Sequence, residues 1–113
     1  MNNYVFVGDK KQGKLGISAF VFEQIASDTI EALAANELKD HLILVNKRKK
    51  YKVESSIDKR GKITLKLSLF FTSDTDVPAS SKLVQDKVYN AVISSTDVGS
   101  LNVNISVASI INK

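Results

Sequence analysis

The chain has a single histidine, His41, and no cysteine, which closes most routes to hydrolytic, redox or metal chemistry. A histidine cluster for a metal, a Cys–His nucleophile pair and a thiolate site all need residues that are missing. A Ser-His-Asp relay would have to use His41, yet no serine stands in a GxSxG nucleophile turn. His41 is expected to be a surface or partly buried residue in a connection. No catalytic, cofactor-binding or metal-ligating residue is expected. Paired carboxylates occur at Asp28 with Glu31 and at Asp74 with Asp76. The first spacing fits a solvated helix face, and the second fits the positive end of the helix that follows it.

The run NKRKKYK at 46–52 is the strongest local signal. It places Lys47, Arg48, Lys49, Lys50 and Lys52 around Tyr51. Between Lys39 and Lys66 there are ten Lys/Arg against three Asp/Glu, a local charge of +7 in a chain whose net charge is +4. Fourteen of the sixteen cations are lysines. Lysine is a hydrated point charge without the planar fork that arginine offers to phosphates and base edges. The composition therefore argues against a specific nucleic-acid reader. With a strand starting near Lys49, Lys50 and Lys52 share a parity and face away from the apolar layer, and Lys66 can join them from the neighbouring strand. Three readings stay open for these six cations. They are a solubilising strand edge, a contact for an acidic protein or anionic lipid surface, and nonspecific nucleic-acid binding. Gly13-Lys14-Leu15-Gly16 has the GxxG letters of a nucleic-acid-binding loop, but that loop joins two helices. Here it borders a strand. It also lacks the GxxxxGK[ST] spacing of a phosphate loop.

The elements that must position these residues follow from periodicity. With 113 residues, 43% of them apolar and 25% charged, the chain has the make-up of one ordinary globular domain spanning 1–113. No window approaches the ~18 apolar residues of a membrane-spanning helix. MNNYVFVGDKKQGK lacks the charged start and apolar core of a secretory signal, and no lipidation motif is visible. A cytoplasmic protein is the expectation.

Residues 14–18 (KLGIS) predict a short strand with Leu15 and Ile17 on one face, and Tyr4–Val7 a further, weaker one. Ser18 can cap a helix over Ala19–Ala35. Its inward face would be Val21, Phe22, Ile25, Ala26, Thr29, Ile30 and Leu33, with Glu23, Asp28 and Glu31 left to solvent. His41–Leu44 reads as a short strand or part of a connection. Tyr51, Val53, Ser55 and Ile57 then alternate with Lys52, Glu54, Ser56 and Asp58 at strand period. Asp58-Lys59-Arg60-Gly61 supplies a hairpin turn. Ile63, Leu65, Leu67, Leu69 and Phe71 form the buried face of the next strand. Val77-Pro78 opens a second helix carrying Leu83, Val84, Val88, Ala91 and Val92 inward and ending near Thr96. The last strand alternates Leu101, Val103, Ile105 and Val107 with Asn102, Asn104 and Ser106. One-sided helices and strands bury their faces as two layers. The expected class is α+β, a sandwich of βαββαβ order with two helices on one face of a mainly antiparallel sheet.

That order raises an RNA-recognition module as a rival. Such a module stacks bases on aromatics after a Lys/Arg-Gly-aromatic start. Here Arg60-Gly61 is followed by Lys62-Ile63-Thr64-Leu65, and Phe70 and Phe71 come too late. Stacking contributes ~1–3 kcal/mol per base, so the rival loses its main source of affinity.

The series Val77-Pro78, Val84-Gln85, Val88, Ala91-Val92, Thr96 and Val103-Asn104-Ile105-Ser106-Val107 resembles the alkaline shock protein family of bacterial envelope-stress proteins. Gly13-Lys14-Leu15-Gly16-Ile17-Ser18, with Val21 and Ile25-Ala26, is similar to the family's opening strand and helix. The likeness covers roughly residues 13–109. The chain departs from it in NELKDHLILVNKRKKYK, where the family has a Gly-Val-type turn. It departs again at Asp97, where the family places glycine directly after the threonine, here delayed to Gly99. The resemblance implies a non-enzymatic cytoplasmic protein of envelope or general stress homeostasis that acts through protein contacts. It also implies membrane association, in some relatives, through a separate membrane-anchored partner. Self-association and a basic nucleic-acid-binding role stay open as alternatives. The helices' apolar stripes are needed for the core, so the open sheet face is the expected contact surface.

Overall fold

The strand with the strictest alternation sits at the centre of the sheet. In the computed structural model, which describes residues 4–6, 16–96 and 99–112, the elements are as follows. They run β1 (Tyr4–Phe6), β2 (Gly16–Ser18), α1 (Ala19–Ala35), β3 (Leu42–Ile43), β4 (Val45–Asn46), β5 (Lys49–Lys50), β6 (Lys52–Ile57), β7 (Ile63–Thr72), α2 (Val77–Thr96) and β8 (Leu101–Ile111). β7 pairs antiparallel with β6 and with β3, and parallel with β8 along its whole length. β3 and β6 occupy successive stretches of the same β7 edge. Ile43 stands opposite Phe70 and Lys52 opposite Ser68. The two are halves of one interrupted strand, and the sheet is effectively three strands wide. The class is α+β, with two helices and a mainly antiparallel sheet.

Both helices pack on one sheet face, α1 against β6 and α2 against β8, and they also pack on each other. Ile63, Leu65, Leu67 and Leu69 are completely buried there, against Phe22, Ala26 and Ile30 of α1 and Val84, Val88 and Val92 of α2. Each of these side chains larger than alanine contributes roughly 1.5–3 kcal/mol on leaving water. Local chemistry sets the helix ends. The Leu38 N–H donates to the Leu33 carbonyl at 2.8 Å and closes α1. Asp76 caps α2, its carboxylate accepting from the Ala79 N–H at 3.2 Å. Pro78 falls in the first turn, where a missing amide has no helical partner.

The structure modifies the expected order and several expected faces. β1 and β2 form a separate two-stranded sheet and, among the described residues, pair with neither edge of the main one. Three-residue strands offer few ladder bonds, and a local hairpin closes at low entropic cost. β3 is the short strand that His41–Leu44 allowed, and two further short strands, β4 and β5, follow it. Val21 is 40% exposed, since Ala19, Phe22 and Ala26 already fill the stripe that meets the sheet. Val107 is 39% exposed, because the helix layer no longer covers the second half of β8. Glu31 is exposed as expected and Glu23 is half-buried, and both also accept hydrogen bonds from the sheet side. The Ser55 hydroxyl donates to Glu23 at 2.5 Å and the Tyr51 phenol to Glu31 at 2.7 Å. Val7, Leu15 and Asp97, and the side chains of Ile17 and Ser18, lie outside the described residues.

Candidate functional site: a basic hairpin over the open sheet face

The interruption of the β3–β6 strand is where the cations go. Between Ile43 and Lys52 the partner strand offers only Leu69, so the intervening residues cannot stay in the sheet and loop out as the β4–β5 hairpin. Val45 pairs with Lys50 and Asn46 with Lys49. The Tyr51 N–H donates to the Leu44 carbonyl at 2.9 Å and pins the hairpin's base. Lys47 and Arg48 form the turn, and Lys47 takes φ of 60°. That is a left-handed conformation that glycine or asparagine adopts more readily. A strand does begin at Lys49, as expected, but it is the short β5, paired with β4 and not with the main sheet. Lys47, Arg48, Lys49 and Lys50 sit on a projecting hairpin, and only Lys52 belongs to the sheet.

The hairpin encloses one side of an open groove of about 960 Å³. Five cations, Lys47 to Lys50 from the hairpin and Lys52 from β6, line the wall together with Asn46. Ser68, Phe70, Ala108 and Ser109 line the rest. Ser68 and Phe70 come from β7, and Ala108 and Ser109 from β8, so the groove crosses the face that the helices leave open. Phe70 is only 6% exposed and offers no flat ring on which a base can stack. Lys66 does not join the group. It stands opposite Glu54 across the β6–β7 pair and lines a separate cavity of about 150 Å³ with Glu54, Ser55 and Ser56.

Lys47, Arg48, Lys49 and Lys50 are all exposed. Among the described residues no carboxylate forms an ion pair with these four or with Lys52; the ion pairs lie elsewhere, at Lys82–Asp86, Lys87–Glu37 and His41–Asp74. Lys50 lies 5.2 Å from the centroid of the Tyr51 ring, a cation–π contact that orients one of the five. Unneutralised like charges a few residues apart repel by roughly 0.5 kcal/mol per close pair in water before salt screening. The cluster is therefore a standing electrostatic cost that an anion would relieve. Burial, together with the adjacent Glu31 carboxylate, holds the Tyr51 phenol above its usual ionisation range. Tyr51 is a buried anchor at the hairpin's base.

His41 occupies a different place. Its Nδ1 lies 3.1 Å from the Thr75 hydroxyl and 3.6 Å from the Asp74 carboxylate. The Thr72 hydroxyl donates to the same Asp74. A nucleophile relay needs the hydroxyl and the carboxylate on opposite ring nitrogens; here both face one. The cluster instead fastens the start of β3 to the loop before α2, where the Thr72 N–H also donates to the His41 carbonyl at 3.0 Å. His41 is half-buried in a connection, as its sequence context suggests. Asp76 stands at the start of α2, whereas Asp74 turns away to this cluster. No helix among the described residues is long and apolar enough to cross a membrane. No protein-family model matches the chain, and no curated protein matches it significantly.

Sequence reasoning gathered the five groove cations but missed the groove. Phe70, Ala108 and Ser109 give no signal, because the hairpin and a β-bulge bring them together.

Proposed function

We propose that the chain is a non-enzymatic interaction module that grips an acidic protein segment between the β4–β5 hairpin and the open sheet face. The observation that carries this reading is the set Lys47, Arg48, Lys49, Lys50 and Lys52, with no carboxylate partner among the described residues, along one wall of a groove with a polar and apolar floor. Lysine-rich walls suit carboxylates, which need charge without a fixed geometry. A nucleic-acid strand would gain most from exposed aromatic rings, and Phe70 is buried. The resemblance to alkaline shock proteins supports the same kind of role. It suggests a cytoplasmic setting in envelope or general stress homeostasis, with the partner, in some cases, holding the module at a membrane.

The test is crosslinked affinity purification from native cells, with soluble and membrane fractions analysed separately. The wild type is compared with a variant in which Lys47, Arg48, Lys49 and Lys50 are all glutamine. A second variant neutralises Lys59, Arg60 and Lys62 on the neighbouring turn. Protein capture should vanish with the first variant and persist with the second. Recovery of nucleic acid alone, without protein in either fraction, would sink the proposal.

A further inference from the structure

β8 has a bare edge, and its position beside the groove says what covers it. β8 pairs only with β7 among the described residues. The Ser100 carbonyl accepts from the Ile63 N–H at 3.3 Å and so faces β7. By strand alternation the main-chain groups of Asn102, Asn104 and Ser106 also face β7, and those of Leu101, Val103, Ile105 and Val107 face outward. A bulge at Ala108, between the Val107 and Ser109 pairings, resets this parity. The Ile111 carbonyl accordingly turns back to accept from the Ser73 N–H at 2.8 Å, while Ile110 faces out. One outward carbonyl is already filled: the Gln85 side-chain amide of α2 donates to the Val103 carbonyl at 2.7 Å. This placement agrees with the alternation.

Beyond that cap the edge has little protection. The sequence LNVNISVASII contains no charge, no proline and no glycine. Natural edges are normally kept from pairing by lysine, proline, short length or a bulge. Residues 105–110 have only the bulge. Val107 and Ile110, paired with Leu69 and Phe71, extend the apolar face beyond the helices and are 39% and 47% exposed. On the opposite face the same stretch supplies Ala108 and Ser109 to the groove under the basic hairpin.

We propose that the edge of β8 over residues 105–110 accepts an extended segment of a protein partner as an added strand, with alternating apolar and acidic side chains. Its main chain pairs with the outward groups of Ile105, Val107 and Ile110. Its apolar side chains lie beside Val107 and Ile110, and its carboxylates turn toward the hairpin cations. The idea rests on the preceding reading that the groove takes an acidic partner. A second copy of this chain fits less well as the occupant, since its own β8 has no carboxylate to bring and its net charge is also positive.

The test uses a blocked peptide of alternating glutamate and valine and the same peptide N-methylated at every amide, which keeps the charge and removes the donors. Binding to the full chain is measured by fluorescence anisotropy. The proteins are the wild type, Val107→Pro, and the fourfold glutamine variant at 47–50. Proline at 107 removes an outward N–H, a position where an edge strand tolerates it. The expected result is binding to the wild type that weakens about tenfold or more when the edge hydrogen bonds are lost, whether through Val107→Pro or N-methylation. The fourfold variant should weaken it as well. Equal binding of the N-methylated peptide to the wild type would overturn strand addition, even if Val107→Pro failed to fold. If hairpin neutralisation still abolished binding in that case, the groove reading would stand. Insensitivity to neutralisation would remove the groove reading itself. Failure of the unmethylated peptide to bind, or tighter binding of an oligothymidylate, would overturn the strand proposal.

Discussion

Two basic hairpins lie within a short stretch of this chain, and they are built on different principles. The turn between β6 and β7 carries Lys59, Arg60 and Lys62, but its backbone is held by an aspartate and a glycine. Asp58 accepts from the Arg60 and Lys62 N–H groups at 2.8 and 2.9 Å, and glycine takes the left-handed position, Gly61 at φ 81°. The β4–β5 hairpin gives its left-handed position to Lys47 and crowds its charges without a carboxylate partner among the described residues. The first is shaped by the needs of the fold. The second gives up conformational comfort for charge display, as local strain at functional sites often does.

The sharpest way to break this contrast is to remove the second hairpin. Deleting residues 44–50 would join Ile43 to Tyr51 and set Tyr51 opposite Leu69, keeping the Ile43–Phe70 and Lys52–Ser68 register. The variant should keep its circular dichroism spectrum and cooperative unfolding while losing at least ~100-fold in affinity for the acidic peptide, the loss expected when several charge contacts go together. Loss of folding would show that the hairpin is structural after all.

Substitutions in the first turn should act the opposite way. Asp58→Ala leaves two amides without their acceptor and should cost about 1–2 kcal/mol in urea unfolding. Gly61→Ala meets no atom within 4 Å, so its cost is backbone strain alone, about 1 kcal/mol. Lys47→Asn relieves the same kind of strain in the other hairpin. It should raise stability by a few tenths of a kcal/mol while weakening peptide binding. Effects of opposite sign for Lys47→Asn and Gly61→Ala would confirm the contrast, and a destabilised Lys47→Asn would end it.

The smallest effect is in pH dependence. A phenol whose folded ionisation is raised stabilises the fold below its unfolded value of 10.0. That contribution is lost as pH climbs through the folded value. Absorbance titration should show a tyrosine ionisation phase delayed above 10.0, and Tyr51→Phe should remove that phase.

Most of the scaffold was legible because its signals are strongly periodic or chemically specific. α1 spans Ala19–Ala35, α2 runs from Val77 to Thr96, and the Asp58–Gly61 turn appears where aspartate and glycine announce it. The β4–β5 hairpin was not legible, for an equally physical reason. A turn with lysine at positive φ lacks the glycine that marks such positions, and Tyr51 keeps the strand parity of Val53 across the interruption. Apolar residues at a regular spacing also promise burial that only a covering layer can provide. Val21 and Val107 show that spacing without the cover.

The parallel pairing of β7 with β8 has a consequence for how the chain reaches this state. β6 and β7 meet across a tight turn, whereas Ile63 and Leu101 meet only after the whole α2 crossover has closed. The loop-closure entropy of the sheet is concentrated in that second event. Until it occurs, Leu65, Leu67, Leu69, Phe70 and Phe71 sit on a strand with one bare edge. The most apolar strand is thus the one whose protection during folding depends on the most distant partner.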